Sequence, residues 1–325
     1  LSDGEYDATL YDCLQLRETL HLCDWAYLLL LYGFSSNVYE EFSNEAILLC
    51  AWLYSQSGYQ MRLAQDENRL HLLYASKHII YGKSYFQLDG YNYYTLLPAS
   101  DNIQISTAAF ENEQALSLQV PTHPQLSAIY SAPRKLQSEK YPTIQVSTQT
   151  NRNLIDFYQT YPSSELDGNP LTRWAIYANT PLSDEVKLYI YPTLEQQLKG
   201  STYRQAVEKL LNFVQTAFVY GYDDKVWGRD RAFFAEETLY YPYADCEDRS
   251  VLFSRLVRDL VGLNVVLLYY PGHLATAVAF SEEVYGDYLV YDNQRYIVCD
   301  PTYIGAPVGR TMPNMNNQEA QIIVL

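Results

Sequence analysis

Cationic residues are scarce in this chain. Lys and Arg number 22 against 38 Asp and Glu among 325 residues, a net charge of −16. A protein that grips a phosphate backbone needs a basic face, so nucleic acid is excluded as a partner. Long apolar runs are missing too. The longest, Ala26 to Tyr32, falls far short of the ~20 residues that cross a bilayer. No membrane span is expected. The five cysteines are Cys13, Cys23, Cys50, Cys246 and Cys299, an odd number with no CxxC pair. That signals neither a disulfide framework nor a zinc knuckle. On one helix, Cys13 and Cys23 would lie ~15 Å apart, beyond disulfide reach. No dinucleotide-binding glycine fingerprint and no HExxH zinc helix occur. Gly82-Lys83-Ser84 mimics the end of a phosphate loop, but Lys77 stands where its first Gly belongs. No leader pattern stands at Leu1, and export is left open by that.

What is present is apolar and rich in tyrosine. Apolar residues make up 48% and charged residues 18%, enough for sizeable cores. There are 33 Tyr against 11 Phe. Tyrosine packs an apolar ring while keeping a polar tip wet. It can fill half-buried faces in place of Phe, or line a binding surface, and composition alone leaves both open.

Helical spacing dominates residues 5–60, with an apolar helix from Glu45 to Tyr54 that ends near Gly58. Short strand-like stretches follow at Tyr59–Leu63, Arg69–Ala75 and Tyr85–Leu88. Residues 101–192 read as a β-rich module. Ile103–Ile105, Leu116–Val120 and Ile144–Val146 alternate at period two, between Pro121, Pro124, Pro133 and Pro142. Residues 193–325 return to helix followed by strand. Helices are expected from Thr202 to Phe218 and from Cys246 to just before Gly262. Strands are expected at Asn264–Tyr270, His273–Phe280, Tyr288–Tyr291 and Tyr296–Cys299. The chain is thus α+β, with units at 1–100, 101–192 and 193–325.

The last unit carries the chemistry. Asp245-Cys246-Glu247-Asp248 opens a helix with an apolar stripe of Leu252, Phe253, Leu256, Val257 and Leu260. A thiol at a helix N-terminus feels the positive end of the macrodipole, which favours thiolate. His273 enters an apolar strand after Pro271-Gly272, and Asp300 closes another at Cys299-Asp300-Pro301. A thiol nucleophile needs an imidazole to take its proton, and the imidazole needs a third group to fix its tautomer. Singly, each residue also has an ordinary packing or turn role. Cys299 alternates with Asp300 and points to the other side of its strand.

The order Asp-Cys246-Glu-Asp-Arg, helix, Gly262, strand, Gly272-His273 and Asp300-Pro301-Thr302-Tyr303 resembles the transglutaminase-like branch of the papain-like cysteine superfamily. It is similar to bacterial transglutaminase-like cysteine proteases. Tyr240-Tyr-Pro-Tyr-Ala-Asp-Cys246-Glu-Asp-Arg with Tyr270-Pro-Gly-His273 looks like forms in Bacteroidetes envelope proteins. The resemblance spans residues 190 to 325. It implies a papain-like core, with Cys246 as nucleophile, His273 as general base and acid, and Asp300 as orienter. It further implies a thiol acyl-transfer enzyme on protein or peptide amide bonds, hydrolytic rather than crosslinking, in the periplasm, cell envelope or secreted. No cofactor is required by that chemistry. A protein-crosslinking transglutaminase and a non-catalytic peptide- or glycan-binding module are the alternatives. Many members follow the His with an aromatic, where this chain has Leu274, so the groove is expected to differ.

Acyl transfer needs oxyanion donors. The Cys246 backbone N–H is one candidate, and Gln215 or Trp227 is the second. Tyr243, Tyr270, Tyr303 and Trp227 are candidate cleft residues. Asp245, Glu247 and Asp248 serve as helix caps on one reading. On the other, which the resemblance implies, they hold calcium, as clustered carboxylates do. Such acids would raise the neighbouring thiol unless a cation or Arg249 offsets them.

The first unit echoes the last. Gly58-Tyr-Gln-Met-Arg-Leu63 parallels Gly262-Leu-Asn-Val-Val-Leu267, His71 parallels His273, and Leu88-Asp89-Gly90 parallels Cys299-Asp300-Pro301. The position equivalent to Cys246 is Phe42. A degenerate repeat without a nucleophile is expected there.

Overall fold

The computed structural model describes residue 4 and residues 6–100, 102–106, 108 and 113–325. The chain is a mixture of helix and strand in two compact units. One comprises Leu1–Leu126 with Tyr161–Pro170, the other Ser127–Thr160 with Leu171–Leu325. The expected β module at 101–192 is therefore divided between the two, and its strands at 103–105 and 144–146 fall in different units. It also contains three helices that the prolines concealed. Leu154, Ile155, Phe157 and Tyr158 recur at helical spacing and are buried together on one of them.

In the first unit, α1 (Asp7–Thr19), α2 (Asp24–Val38) and α3 (Asn44–Gln56) precede a sheet. Ser43 caps α3 by accepting from the Ala46 N–H, and Gly58 turns the chain at φ +86°. The strands are β1 (Met61–Asp66), β2 (Arg69–Ser76), β3 (His78–Ile80), β4 (Phe86–Leu88), β5 (Tyr91–Thr95) and β6 (Gln104–Ile105). The hairpin β7 (Arg134–Gln137) and β8 (Gln145–Thr148), with α4 (Arg152–Thr160), belongs to the second unit. β9 (Ser164–Leu166) returns to the first and pairs with β3.

The second unit continues with α5 (Thr172–Asn179), α6 (Asp184–Leu198), α7 (Tyr203–Thr216), the short α8 (Asp223–Val226), α9 (Ala235–Tyr240) and α10 (Cys246–Val261). Its strands are β10 (Val265–Tyr270), β11 (His273–Val278), β12 (Tyr288–Tyr291), β13 (Gln294–Cys299) and β14 (Gln321–Val324). The boundaries expected for the two helices and four strands agree within a few residues, whereas β14 was not anticipated. One sheet face buries Val266, Leu268, Ala275, Ala277 and Val298 together, as period-two alternation dictates.

The two sheets share one strand order. The first runs β4-β5-β2-β1-β6 and the second β12-β13-β11-β10-β14. β1 and β10 have six residues each, and each reaches its partner through a two-residue turn. In both, a two-residue hairpin turn, Asp89-Gly90 or Asp292-Asn293, joins the two outer strands. The repeat seen in sequence is thus matched by topology.

One close approach braces the second sheet. Gly309 donates to the Val298 carbonyl, and its own carbonyl accepts from Asp287. A Cβ on Gly309 would lie 2.8 Å from the Gly286 Cα, and its φ is +84°. Glycine is required there on both counts.

Candidate functional site

α10 starts at Cys246 because Asp245 caps it. The Asp245 Oδ1 accepts from the backbone N–H of Glu247 at 3.1 Å and of Asp248 at 3.4 Å. In return the Asp248 Oδ2 accepts from the Asp245 N–H at 3.1 Å. This reciprocal box fixes Cys246 as the first helical residue. The helix ends on Gly262 at φ +72°, which turns the chain into β10. His273 is then the first residue of β11, opposite Tyr270. β13 lies beside β11 and ends at Cys299, so Asp300 leaves the sheet on the neighbouring strand.

These elements bring His273 and Asp300 together, and α10 starts Cys246 on the helix packed against β11. The His273 Nε2 lies 2.8 Å from the Asp300 Oδ2, and both side chains are buried. The other Asp300 oxygen accepts from the Thr302 N–H, the Thr302 hydroxyl and the Tyr303 N–H at 2.8–3.1 Å. Burial works to raise the Asp300 carboxyl. Hydrogen bonds from His273 and Thr302 outweigh it and hold the group below its usual value. With Nε2 engaged, Nδ1 is the ring nitrogen left to exchange a proton.

The backbone N–H of Leu274, the residue after His273, faces the Cys246 thiol and works to lower it. The Leu274 carbonyl accepts from the Ser250 hydroxyl at 3.0 Å. Ser250, one turn into α10, thus ties the helix to the opening of β11. Cys299 is fully buried and its thiol donates to the Ile297 carbonyl, as its strand parity predicts.

The thiol differs from the expected activated state. Burial pushes it well up, and the Asp245, Glu247 and Asp248 carboxylates push it further. The Leu274 N–H opposes them without prevailing. Arg249 does not offset the acids by pairing with them. Its guanidinium is buried and donates to the carbonyls of Ala244, Gln215 and Phe218 at 2.9–3.2 Å.

Gln215 has a different place from the one expected. Its amide nitrogen lies 3.0, 2.9 and 3.1 Å from the carbonyls of Asp300, Tyr303 and Ala306. Its Oε1 accepts from the Gly305 N–H at 3.3 Å. Two amide hydrogens shared among three carbonyls leave none for an oxyanion. Gln215 instead fixes the loop that carries Asp300. Trp227, the other donor candidate, packs edge-on against Phe233 and Tyr241, under the Arg231 guanidinium.

The aromatic candidates separate. Tyr270 is buried in the sheet core, stacks on His273 and donates to Asn317 at 2.8 Å, so it supports the base rather than lining a cleft. Tyr243 is 42% exposed. Tyr303 is half-buried, beside Asp300 in sequence.

The acidic cluster is real but differently composed. The carboxylates of Asp245 and Glu247 lie with the Cys246 thiol within 4.8 Å, and Glu247 lies equally close to Asp223 and Asp230. These groups can hold a metal ion. Asp248 is not among them, because its oxygens accept from Phe233 and Asp245 backbone N–H groups. Burial first, and then mutual repulsion, pushes Asp245 and Glu247 above the ordinary carboxylate range. The buried Glu247 Oε1 has no hydrogen bond, with Arg173 at 3.8 Å as its nearest cation. Asp223 opens the short α8 and Asp230 follows it in a loop, both more than a dozen residues upstream, and no spacing pattern marks them in sequence.

In the first unit the equivalent positions carry no such chemistry. Register places Arg69, the first residue of β2, where His273 stands, so His71 is not its counterpart. Counting from the Asp89-Gly90 turn, Leu97-Pro98 stands where Asp300-Pro301 does, and Asp89 is a turn residue. Phe42, equivalent to Cys246, precedes α3 and is 60% exposed. His71 instead pairs with Asp66 at 3.1 Å within its own sheet.

Compared with known families, curated proteins and solved structures, the chain matches none.

Proposed function

We propose that the second unit is a thiol acyl-transfer enzyme acting on protein or peptide amide bonds, with water as the usual acceptor. The observation that carries this reading is the 2.8 Å His273–Asp300 contact at the opening of β11, to which α10, the helix that Cys246 begins, is tied through Ser250 and Leu274. Asp300 holds the imidazole through Nε2, which leaves Nδ1 as the base. The resting thiol holds its proton, so proton transfer accompanies attack rather than preceding it. The Cys246 sulfur bonds to the carbonyl carbon while its proton passes to Nδ1. The C–N bond then breaks, the proton moves to the leaving amine, and a thioester remains. Water, deprotonated by Nδ1, releases the acid and restores the thiol. The Cys246 backbone N–H at the helix start is the oxyanion donor from this unit. A lysine amine in place of water would give a crosslink.

A calcium ion is the finer reading of the acidic cluster. Asp245, Glu247, Asp223 and Asp230 would supply oxygen ligands, and the ion would relieve the negative charge around the thiol. Calorimetric titration of the Cys246→Ala protein with calcium tests this by heat alone, and no heat above buffer refutes it.

The catalytic reading is tested by intact-mass analysis after mixing with N-acetyl-tripeptide 4-nitroanilides. A hydroxylamine-sensitive acyl adduct on Cys246 is expected, absent in Cys246→Ala. His273→Ala should slow its formation by ~100-fold or more. Turnover that survives Cys246→Ala would refute the assignment. The first unit, a duplicate lacking all three groups, is proposed to have no part in the chemistry.

A further inference from the structure

A cavity of about 480 Å³ lies between the β7–β8 hairpin and the segment leading from α9 toward Cys246. It is lined by Arg134, Arg152, Thr148, Thr150, Tyr240 and Tyr241 among others, and none of its lining residues is acidic. That is unusual in a chain of net charge −16. Its size falls in the range of small-molecule pockets.

Among the described residues, both cations in it lack a carboxylate. Arg134 is held by backbone carbonyls and lies over the Phe218 ring. It donates to Thr238 at 3.3 Å, Leu239 at 3.0 Å, Pro242 at 3.4 Å, and also to Tyr241. Four neutral acceptors orient it without cancelling its charge. No hydrogen bond, ion pair or ring contact engages the Arg152 side chain among the described residues. The Thr148 hydroxyl, on a residue only 1% exposed, has no partner either. The buried Thr148 hydroxyl without a partner is costly unless a ligand completes it, and the exposed Arg152 guanidinium is free to pair one. Arginine's planar fork matches a carboxylate, and the tyrosine rings and Leu239 offer an apolar wall.

We propose that this cavity binds a carboxylate carried on an aromatic or apolar body, with Arg152 pairing the carboxylate and Thr148 donating to it. The site is separate from the Cys246 triad, and its occupancy is measured by binding alone, whatever the catalytic outcome.

The test is calorimetric titration of the full chain with N-acetyl-L-tyrosine, its amide, and an N-acetylated tetrapeptide ending in a free tyrosine carboxylate. Saturable binding of the acid is expected, with the amide at least about tenfold weaker, because the charge-assisted pair is lost. Arg152→Gln, on an exposed residue at the start of α4, should weaken the acid about tenfold and leave the amide unchanged. Binding of the tetrapeptide identifies a peptide terminus as the source, and binding of the small acid alone identifies a free metabolite-like acid. Equal binding of acid and amide overturns the proposal. So does full displacement by an equal concentration of inorganic phosphate, or the absence of saturable binding. The acid–amide contrast on the unaltered protein decides the matter even if Arg152→Gln fails to fold.

Discussion

Replacing Gln215 by Leu should loosen the loop that carries Asp300 without touching the reacting groups. Gln215 is 1% exposed, and its two amide hydrogens serve three carbonyls, of Asp300, Tyr303 and Ala306. Leu conserves volume but offers no donor, and it also removes the acceptor for the Gly305 N–H. A buried carbonyl left without a partner costs ~1–3 kcal/mol. Two hydrogens' worth of bonding at the lower half of that range, since Tyr303 is only half-buried, gives a loss of about 3 kcal/mol in unfolding free energy. Urea unfolding followed by tryptophan fluorescence measures it, with the midpoint of the second unit falling at constant slope. Amide exchange adds a local readout. Protection of the Gly305 N–H should collapse, while amides in β10 and β11 lose only the global amount. Gln215→Glu should cost more at pH 8 than at pH 5, because its ionised carboxylate faces three carbonyls. A loss under ~1 kcal/mol with Gly305 still protected would refute the role assigned to Gln215.

Two further outcomes follow from the second unit. Glu236 is fully buried, pairs only with the Ser183 N–H and hydroxyl, and is pushed up to about 7 by burial, from an ordinary value of 4.5. Its folded value lies above its unfolded one, so its contribution is complete below pH ~4.5 and about 3 kcal/mol is lost as pH rises through 7. Glu236→Gln, which mimics the protonated group, should flatten the decline in urea midpoint between pH 5 and 8. Gly309→Ala places a Cβ 2.8 Å from the Gly286 Cα at positive φ, and should lower unfolding free energy by ~2 kcal/mol or more. An unchanged thermal midpoint would show that the two backbones can part freely.

Some of this protein was readable from side-chain period and punctuation. The apolar stripe of α10, its Asp245 cap and its Gly262 stop are local signals, and the helix lies within a residue of its expected span. The alternating strands from 265 to 299 were equally plain, because one buried face imposes period two. Within 101–192, the Ile144–Val146 strand lies in β8, but residues 152–192 hold helices where a β-rich module was expected, because proline signals a break and not what lies between breaks. α4 and α5 are short helices whose burial depends on the rest of their unit. The echo between Gly58 and Gly262 pointed to two sheets that do share one strand order, yet its pairing of His71 with His273 failed, since register is set by turn length and not by residue type.

Sequence alone therefore determined the elements that carry Cys246, His273 and Asp300, because capping, periodicity and turn residues act over a few positions. Only tertiary structure decided what each side chain meets. It made the candidate donor Gln215 a brace and chose, of the two readings of Asp248, the cap. It brought Asp223 and Asp230 to Glu247, and raised the thiol that a helix N-terminus alone would have lowered. Burial and long-range contact set those outcomes, and neither is encoded in the spacing of residues along the chain.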